Sequence, residues 1–289
     1  MNILITGANG QLGSELREAA AASSHHFIFT DLPELDITDA AAVSAKVREC
    51  AAQCIINCAA YTQVDRAEDD EVTADLINHH AVANLAKAAA ESDALLIHIS
   101  TDYVFGGMGN TPFAEGDATA PLGAYGRTKL AGEEAVRTGG CRYIILRTAW
   151  LYSTYGNNFV KTMRRLMHER DELKVVFDQV GTPTYAGDLA GVIIRLLDAP
   201  LPEDCAAVYH FTNEGVCSWF DFALAIQEYS GLQEACRVLP CRSSEFPSKV
   251  RRPSFSVLDK AAIRRDYGLS IPHWRASLAK CVARLDAAE

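Results

Sequence analysis

The sequence predicts an α/β protein in which a doubly wound parallel sheet carries a smaller α/β lobe. Short apolar runs alternate with helix-length amphipathic stretches through the first half, the first such run leads straight into a glycine-rich turn, and the second half loses this regularity. Short, continuously apolar strands separated by helices are the pattern of a sheet covered on both faces.

In chain order, Asn2–Thr6 reads as the first strand and Gln11–Ala22 as the helix that follows it. Phe27–Thr30, Ile55–Asn57, Leu95–Ile99 and Tyr143–Arg147 read as further strands, and Ala40–Cys50, Thr73–Glu91 and Tyr125–Arg137 as helices between them. Beyond these come a helix over Gly191–Leu197, a strand over Val208–Phe211, and helices over Trp219–Tyr229 and His273–Leu285. Pro240, Pro247 and Pro253 are expected to break the intervening stretch. The expected division is 1–149 plus about 187–212 for the sheet domain and about 150–186 plus 213–289 for the lobe. No repeat or flexible linker separates the two, so they should pack closely and leave a cleft, a usual place for a ligand.

Composition narrows the class. The 289 residues are 49% hydrophobic, enough for a sizeable core. A net charge of -10 argues against a general nucleic-acid binder, though it allows a small basic pocket for one diphosphate. No apolar run approaches the ~18 residues of a membrane span. MNILITGANG enters a strand with no basic segment or cleavage site before it, so a cytoplasmic protein with no membrane partner is expected. Nine scattered cysteines form no disulfide framework. Cys50, Cys54 and Cys58 recur every fourth residue, a spacing that resembles a metal site. The first ends a helix and the last ends a strand, so one face cannot hold all three; they read as packing residues in a reducing compartment, and no metal is predicted.

The first strand runs into Gly7-Ala8-Asn9-Gly10-Gln11-Leu12-Gly13, a G-x-x-G-x-x-G pattern in the strand–turn–helix context that dinucleotide binding requires. Glycine permits positive φ and close approach of the chain to a cofactor, and the free N–H groups of the next helix favour a diphosphate. The sheet is therefore predicted to be Rossmann-type, with Gly7, Gly10, Gln11, Leu12 and Gly13 at the cofactor. Asp31, after the second strand, either accepts hydrogen bonds from the adenosine ribose, which favours NADH slightly over NADPH, or is a turn carboxylate. Asp36 and Ile37 are placed beside the adenine, and Ala59 and Ala60 beside the diphosphate.

The strand ending at Ile99 is followed by Ser100-Thr101-Asp102-Tyr103, and Tyr125-Gly126-Arg127-Thr128-Lys129 comes further on. Positions i and i+4 of a helix share a face, so Tyr125 and Lys129 stand one turn apart. Reducing a ketone leaves an alkoxide that needs a proton, and a free phenol, with a pKa of about 10, donates poorly near neutrality. An adjacent ammonium is expected to move that pKa toward the working pH, with Lys129 also holding the nicotinamide ribose and Thr101 donating to the carbonyl oxygen.

With these motifs in place, the chain resembles the extended short-chain dehydrogenase/reductases and, within them, the reductases of nucleotide-linked 4-keto sugars. The matching stretches are Gly7–Gly13, NCAAYTQVD from Asn57, STDYVFGG from Ser100, YGRTKLAGE from Tyr125, RTAWLY from Arg147, GTPTYAGDLA from Gly181 and RRPSFSVLD from Arg251. The resemblance implies Thr101, Tyr125 and Lys129 as the catalytic set, and substrate contacts from Thr101, Asp102 and Trp150. Trp150 otherwise fills the core at the junction of the lobes. Thr62 and Asp65 line the sugar site or, for Asp65, begin a helix. Arg251 and Arg252 bind the substrate diphosphate or form a solvated basic pair. Some relatives hold Mg2+ with acidic residues at a dimer contact. Glu15 fits one such position, but Thr184-Tyr185-Ala186-Gly187 lacks the partner acid and Asp188 comes one residue late, so Mg2+ is not predicted, and monomer and homodimer both stay open. A dehydratase would carry Asp-Glu after its strand-end threonine, where this chain has Asp102-Tyr103. A non-catalytic subunit, of the kind that accompanies methionine adenosyltransferase, would gain if Tyr125 or Lys129 were missing, and both are present.

Overall fold

The computed structural model describes residues 1–200, 202–246 and 248–288. Its main sheet contains β1 (Asn2–Thr6), β2 (His26–Thr30), β3 (Cys54–Asn57), β4 (Leu95–Thr101), β5 (Arg142–Thr148) and the strand Ala206–His210. All pairs are parallel, in the order 206–210, β5, β4, β3, β1, β2. Winding reverses at β1, which has β2 on one side and β3 on the other; a doubly wound sheet opens its ligand crevice at the carboxyl ends of strands there.

Side-chain alternation explains why these runs are apolar throughout. Ile3, Ile5, Ile97 and Leu146 pack on one face with Leu16 and Ile193, while Leu4, Ile55, Leu96 and Ile145 pack on the other with Val43 and Leu85. Each such burial contributes about 1.5–3 kcal/mol before chain entropy is counted. A separate cluster joins Tyr152, from the short strand Leu151–Tyr152, with Val160, Phe222, Ile226 and Leu278 from the helices Phe159–Glu169, Trp219–Tyr229 and Trp274–Asp286. Ile263, Tyr267 and Ile271 belong to the sheet cluster, although they come from the stretch assigned to the lobe.

Two sequence expectations need correction. Pro240 does not break the chain; it lies within Arg237–Cys241, which pairs in parallel with Glu172–Val176. A two-stranded pair consists of edges, where a missing N–H is tolerated. Pro247 lies outside the described residues, and Pro253 is buried against Gly107, where an added Cβ would stand 2.3 Å from the proline Cβ. The long helix expected over Thr73–Glu91 is interrupted: α-helix at Glu71–Asp75, a π-turn at Leu76–His80, then α-helix at Ala81–Glu91. The helix Ala124–Thr138 presses against that turn through Gly132, whose Cβ would lie 2.1 Å from the Asn78 carbonyl oxygen. Cys50 caps the helix Ala40–Glu49, Cys54 begins β3, and Cys58 follows it, with burial pushing all three thiols up. Among the described residues no helix is long and apolar enough to cross a membrane.

Candidate active site

The glycine turn closes β1 onto the helix Gln11–Ala20. Gly7 has φ +67°, and a Cβ there would stand 2.5 Å from the Ala59 nitrogen; a Cβ on Gly13 would stand 2.6 Å from the Ala8 oxygen. Neither position admits a side chain. The turn thus packs on Ala59 after β3 and leaves its backbone bare, with the N-terminus of a ten-residue helix behind it, a cradle that suits a dinucleotide diphosphate. Asp31 braces the turn: one carboxylate oxygen accepts from Asn9 N at 2.9 Å and the other from Leu32 N at 2.8 Å. Asp36 accepts from Thr38, which holds its carboxyl below the usual range, and the Ile37 and Thr38 carbonyls accept from Asn84. Gln11 accepts from Asn158 at 3.0 Å, so the lobe reaches the turn.

Thr101 ends β4, buried, and donates to Asp102 Oδ1 at 3.0 Å. Its side chain also faces the Tyr125 phenol. Tyr103 packs edge-on against Tyr125, ring centroids 5.5 Å apart. Gly126 permits this approach, since a Cβ there would lie 2.3 Å from the Tyr103 oxygen. Lys129, one turn along and buried, donates to the Ile99 carbonyl at 2.6 Å.

The electrostatics correct the sequence argument. Burial pushes the Tyr125 phenol up rather than down, Asp102 and Tyr103 add to the rise, and only the polar side chain of Thr101 opposes it. Lys129 gives one of its three N–H donors to a β4 carbonyl, which leaves two, and burial lowers its own pKa to about 8 against the pull of Glu133 and Cys58. Burial likewise raises Asp102 to about 6 despite the hydrogen bond from Thr101 and the nearby Ser256 side chain. The pocket favours neutral groups, and a neutral phenol still holds the proton a ketone reduction needs.

Several supporting residues were not singled out from the sequence. Asn78, carried inward by the π-turn, accepts from Tyr61 N at 2.9 Å and donates to Tyr61 O at 3.1 Å and Thr128 Oγ1 at 3.2 Å. It joins the loop after β3 to the helix bearing Tyr125. Glu68 receives the Ala124 N–H at 2.6 Å at the start of that helix. Behind it, fully buried Glu133 binds Ser100 and Arg147, tying the helix to β4 and β5. A helix interrupted by glycines and a buried Glu–Arg pair were visible as residue types, but not as partners.

A cleft of about 1080 Å3 opens in the lobe, lined among others by Phe159, Val176, Trp219, Arg251 and Arg252. Arg252 connects it to the Tyr103–Tyr125 pair: it donates to Asp65 Oδ2 at 2.6 Å, and its positive charge lies near Tyr103. Arg251 is exposed at the cleft, Thr62 is exposed on the loop after Ala60, and Asp65 also accepts from Ser248. Trp150 has φ +49° and stacks on Trp219 at 3.6 Å, while a Cβ on Gly181 would meet its ring at 2.8 Å. It is thus packed behind the cleft wall. Glu15 is occupied by Ser153 at 2.6 Å and by Arg284 at 3.0 Å, and Asp188 by Asn213 and Ser277, so these two carboxylates sit in separate networks.

Comparisons agree with this geometry. The profile of the family described as "RmlD substrate binding domain" matches residues 1–287. The dTDP-4-dehydrorhamnose reductase of Mycolicibacterium smegmatis is 44% identical, covering 97% of this chain and 85% of that protein. A dTDP-4-dehydrorhamnose reductase structure from Clostridium acetobutylicum superposes with a TM-score of 0.94 at 43% identity, covering 99% and 100% of the two chains. Another from Bacillus anthracis, in complex with NADP, superposes with a TM-score of 0.93 at 40% identity, covering 98% and 99%.

Proposed function

Because the chain belongs to the RmlD substrate binding domain family, we infer that it reduces the C4 keto group of dTDP-4-dehydro-β-L-rhamnose to dTDP-L-rhamnose with NADH or NADPH. The observation that carries this reading is the Tyr125 phenol, facing Thr101 at the carboxyl end of β4, on the edge of the crevice that the bare glycine turn also faces.

When bound, the reduced nicotinamide supplies the hydride. Gly7, Gly10, Gln11, Leu12 and Gly13 hold the diphosphate with Ala59 and Ala60 alongside, and Asp36 and Ile37 border the adenine. Asp31 binds the ribose with the carboxylate lone pairs its turn bonds leave free, which supports a modest preference for NADH. Thr101 donates to the carbonyl oxygen, Tyr125 gives its proton to that oxygen as charge develops, and Lys129 holds the nicotinamide ribose and stabilises the phenolate left behind. Asp102, Thr62 and Asp65 face the sugar, with Trp150 backing the wall through Trp219. Arg251 and Arg252 bind the substrate diphosphate in the lobe cleft. This assigns 1–149 plus about 187–212 to the cofactor and 150–186 plus 213–289 to the substrate, in a cytoplasmic monomer or homodimer.

The test is direct. Purified chain should oxidise NADH or NADPH when given dTDP-4-dehydrorhamnose, and the product should be dTDP-L-rhamnose. Oxidation of neither cofactor by a folded preparation would overturn the reading.

A further inference from the structure

We propose that Asp75, His79 and His80 form a surface site for a divalent transition metal of the zinc class, apart from the reductase centre. His79 Nδ1 lies 3.1 Å from Asp75 Oδ1, and His80 Nε2 lies 3.1 Å from Asp75 Oδ2. The two imidazoles stack with centroids 4.5 Å apart, and one ligand atom from each of the three residues falls within 4.8 Å of the others.

The π-turn makes this convergence possible. In an α-helix residue i+4 lies over residue i, whereas i+5 is carried roughly 100° further round. The wider turn at Leu76–His80 brings i+5 back over i, so consecutive histidines reach opposite oxygens of one carboxylate. Two donors each about 2.0–2.1 Å from a tetrahedral ion stand roughly 3.3 Å apart, close to both observed separations. The remaining edge, between the imidazoles, closes by rotation of exposed His80. Two imidazoles and a carboxylate select Zn2+, Co2+ or Ni2+ over Mg2+ or Ca2+, and three ligands on one exposed face leave further positions for water. The site lies on the outer side of the turn whose inner side presents Asn78 to Tyr61.

The tag-free, reduced, full-length chain is titrated with Co2+ alone and then with Zn2+. Expected are saturable visible Co2+ bands at one ion per chain, with no thiolate charge-transfer band, and their loss on adding Zn2+. Zn2+ should raise the thermal midpoint of the unsubstituted chain. His79→Ala, His80→Ala and Asp75→Asn should each weaken Co2+ binding roughly tenfold or more, whereas His25→Ala should not. No saturable binding, a thiolate signature, or binding that survives joint His79→Ala and His80→Ala replacement would overturn the site and reduce the cluster to two His–Asp contacts.

Discussion

At the scale of single residues, the chemistry was legible and its electrostatics were not. Tyrosine and lysine four apart, after a strand-end threonine, single out the proposed proton donor from residue types and spacing alone. Their pKa values depend on how much water the fold removes, and burial opposes the acidification that spacing alone suggested. Tyr125→Phe removes the donated proton and leaves the ring, so kcat is expected to fall about 100-fold or more while cofactor affinity, read by fluorescence titration, stays within a few-fold. Lys129 is buried at a cost to folding: its folded pKa of about 8 lies below the unfolded value of 10.5, so the penalty is full below pH 8 and relieved as pH rises toward 10.5. Lys129→Met should therefore raise unfolding free energy at pH 7 by roughly 1–3 kcal/mol, shrink that gain at pH 10, and still abolish most turnover. Asp102, raised to about 6, titrates within the assayable range. Below that value its carboxyl can donate to Thr101 and leave the threonine O–H free to hydrogen-bond the substrate oxygen; above it, the carboxylate accepts the threonine hydrogen bond instead. kcat/KM is expected to fall as pH rises through about 6, and Asp102→Asn, which cannot ionise, to flatten that limb. A limb unchanged in the variant assigns it to another group.

At the scale of elements, β1 to β5 were legible to within two residues, because apolar runs bounded by turns have one interpretation in a sheet covered on both faces. The helix Phe159–Glu169 was missed: Asn158 as its cap and Val160, Met163 and Met167 on its buried side were signals in the sequence, but its charged composition hid them. The π-turn was not legible. The sequence on both sides reads as one continuous helix, alanine-rich after the turn, and what favours the widened turn is tertiary: Gly132 against the Asn78 carbonyl and Asn78 against Tyr61. Asn78→Ala removes three hydrogen bonds and strands the Tyr61 backbone groups, so a loss of about 2–4 kcal/mol is expected by denaturant unfolding. Because Tyr61 follows Ala59 and Ala60, KM for the reduced cofactor should rise as well. Normal cofactor kinetics in a destabilised variant would confine Asn78 to a purely structural part.

At the scale of the whole molecule, the question is how a lobe with its own core is kept in register with a proton donor on the sheet domain. The order of elements predicted a cleft, but the pairing across it joins residues nearly two hundred positions apart and has no sequence signature. Arg252 makes that connection, bound to Asp65 on one side and acting electrostatically on Tyr103 beside the Tyr125 phenol on the other, while it also lines the lobe cleft. Its partly exposed ion pair adds little to stability, since such contacts are worth at most about 1 kcal/mol. Its value lies in positioning a cation where a diphosphate can exchange with Asp65. Arg252→Met, which keeps the apolar stem, should raise KM for the nucleotide sugar about tenfold to a hundredfold, leave the thermal midpoint nearly unchanged, and lower kcat far less than Tyr125→Phe does. The contrast carries the argument: if Arg252→Met lowers kcat and leaves KM alone, the guanidinium acts through Tyr103 on the proton donor and the diphosphate is held elsewhere in the cleft.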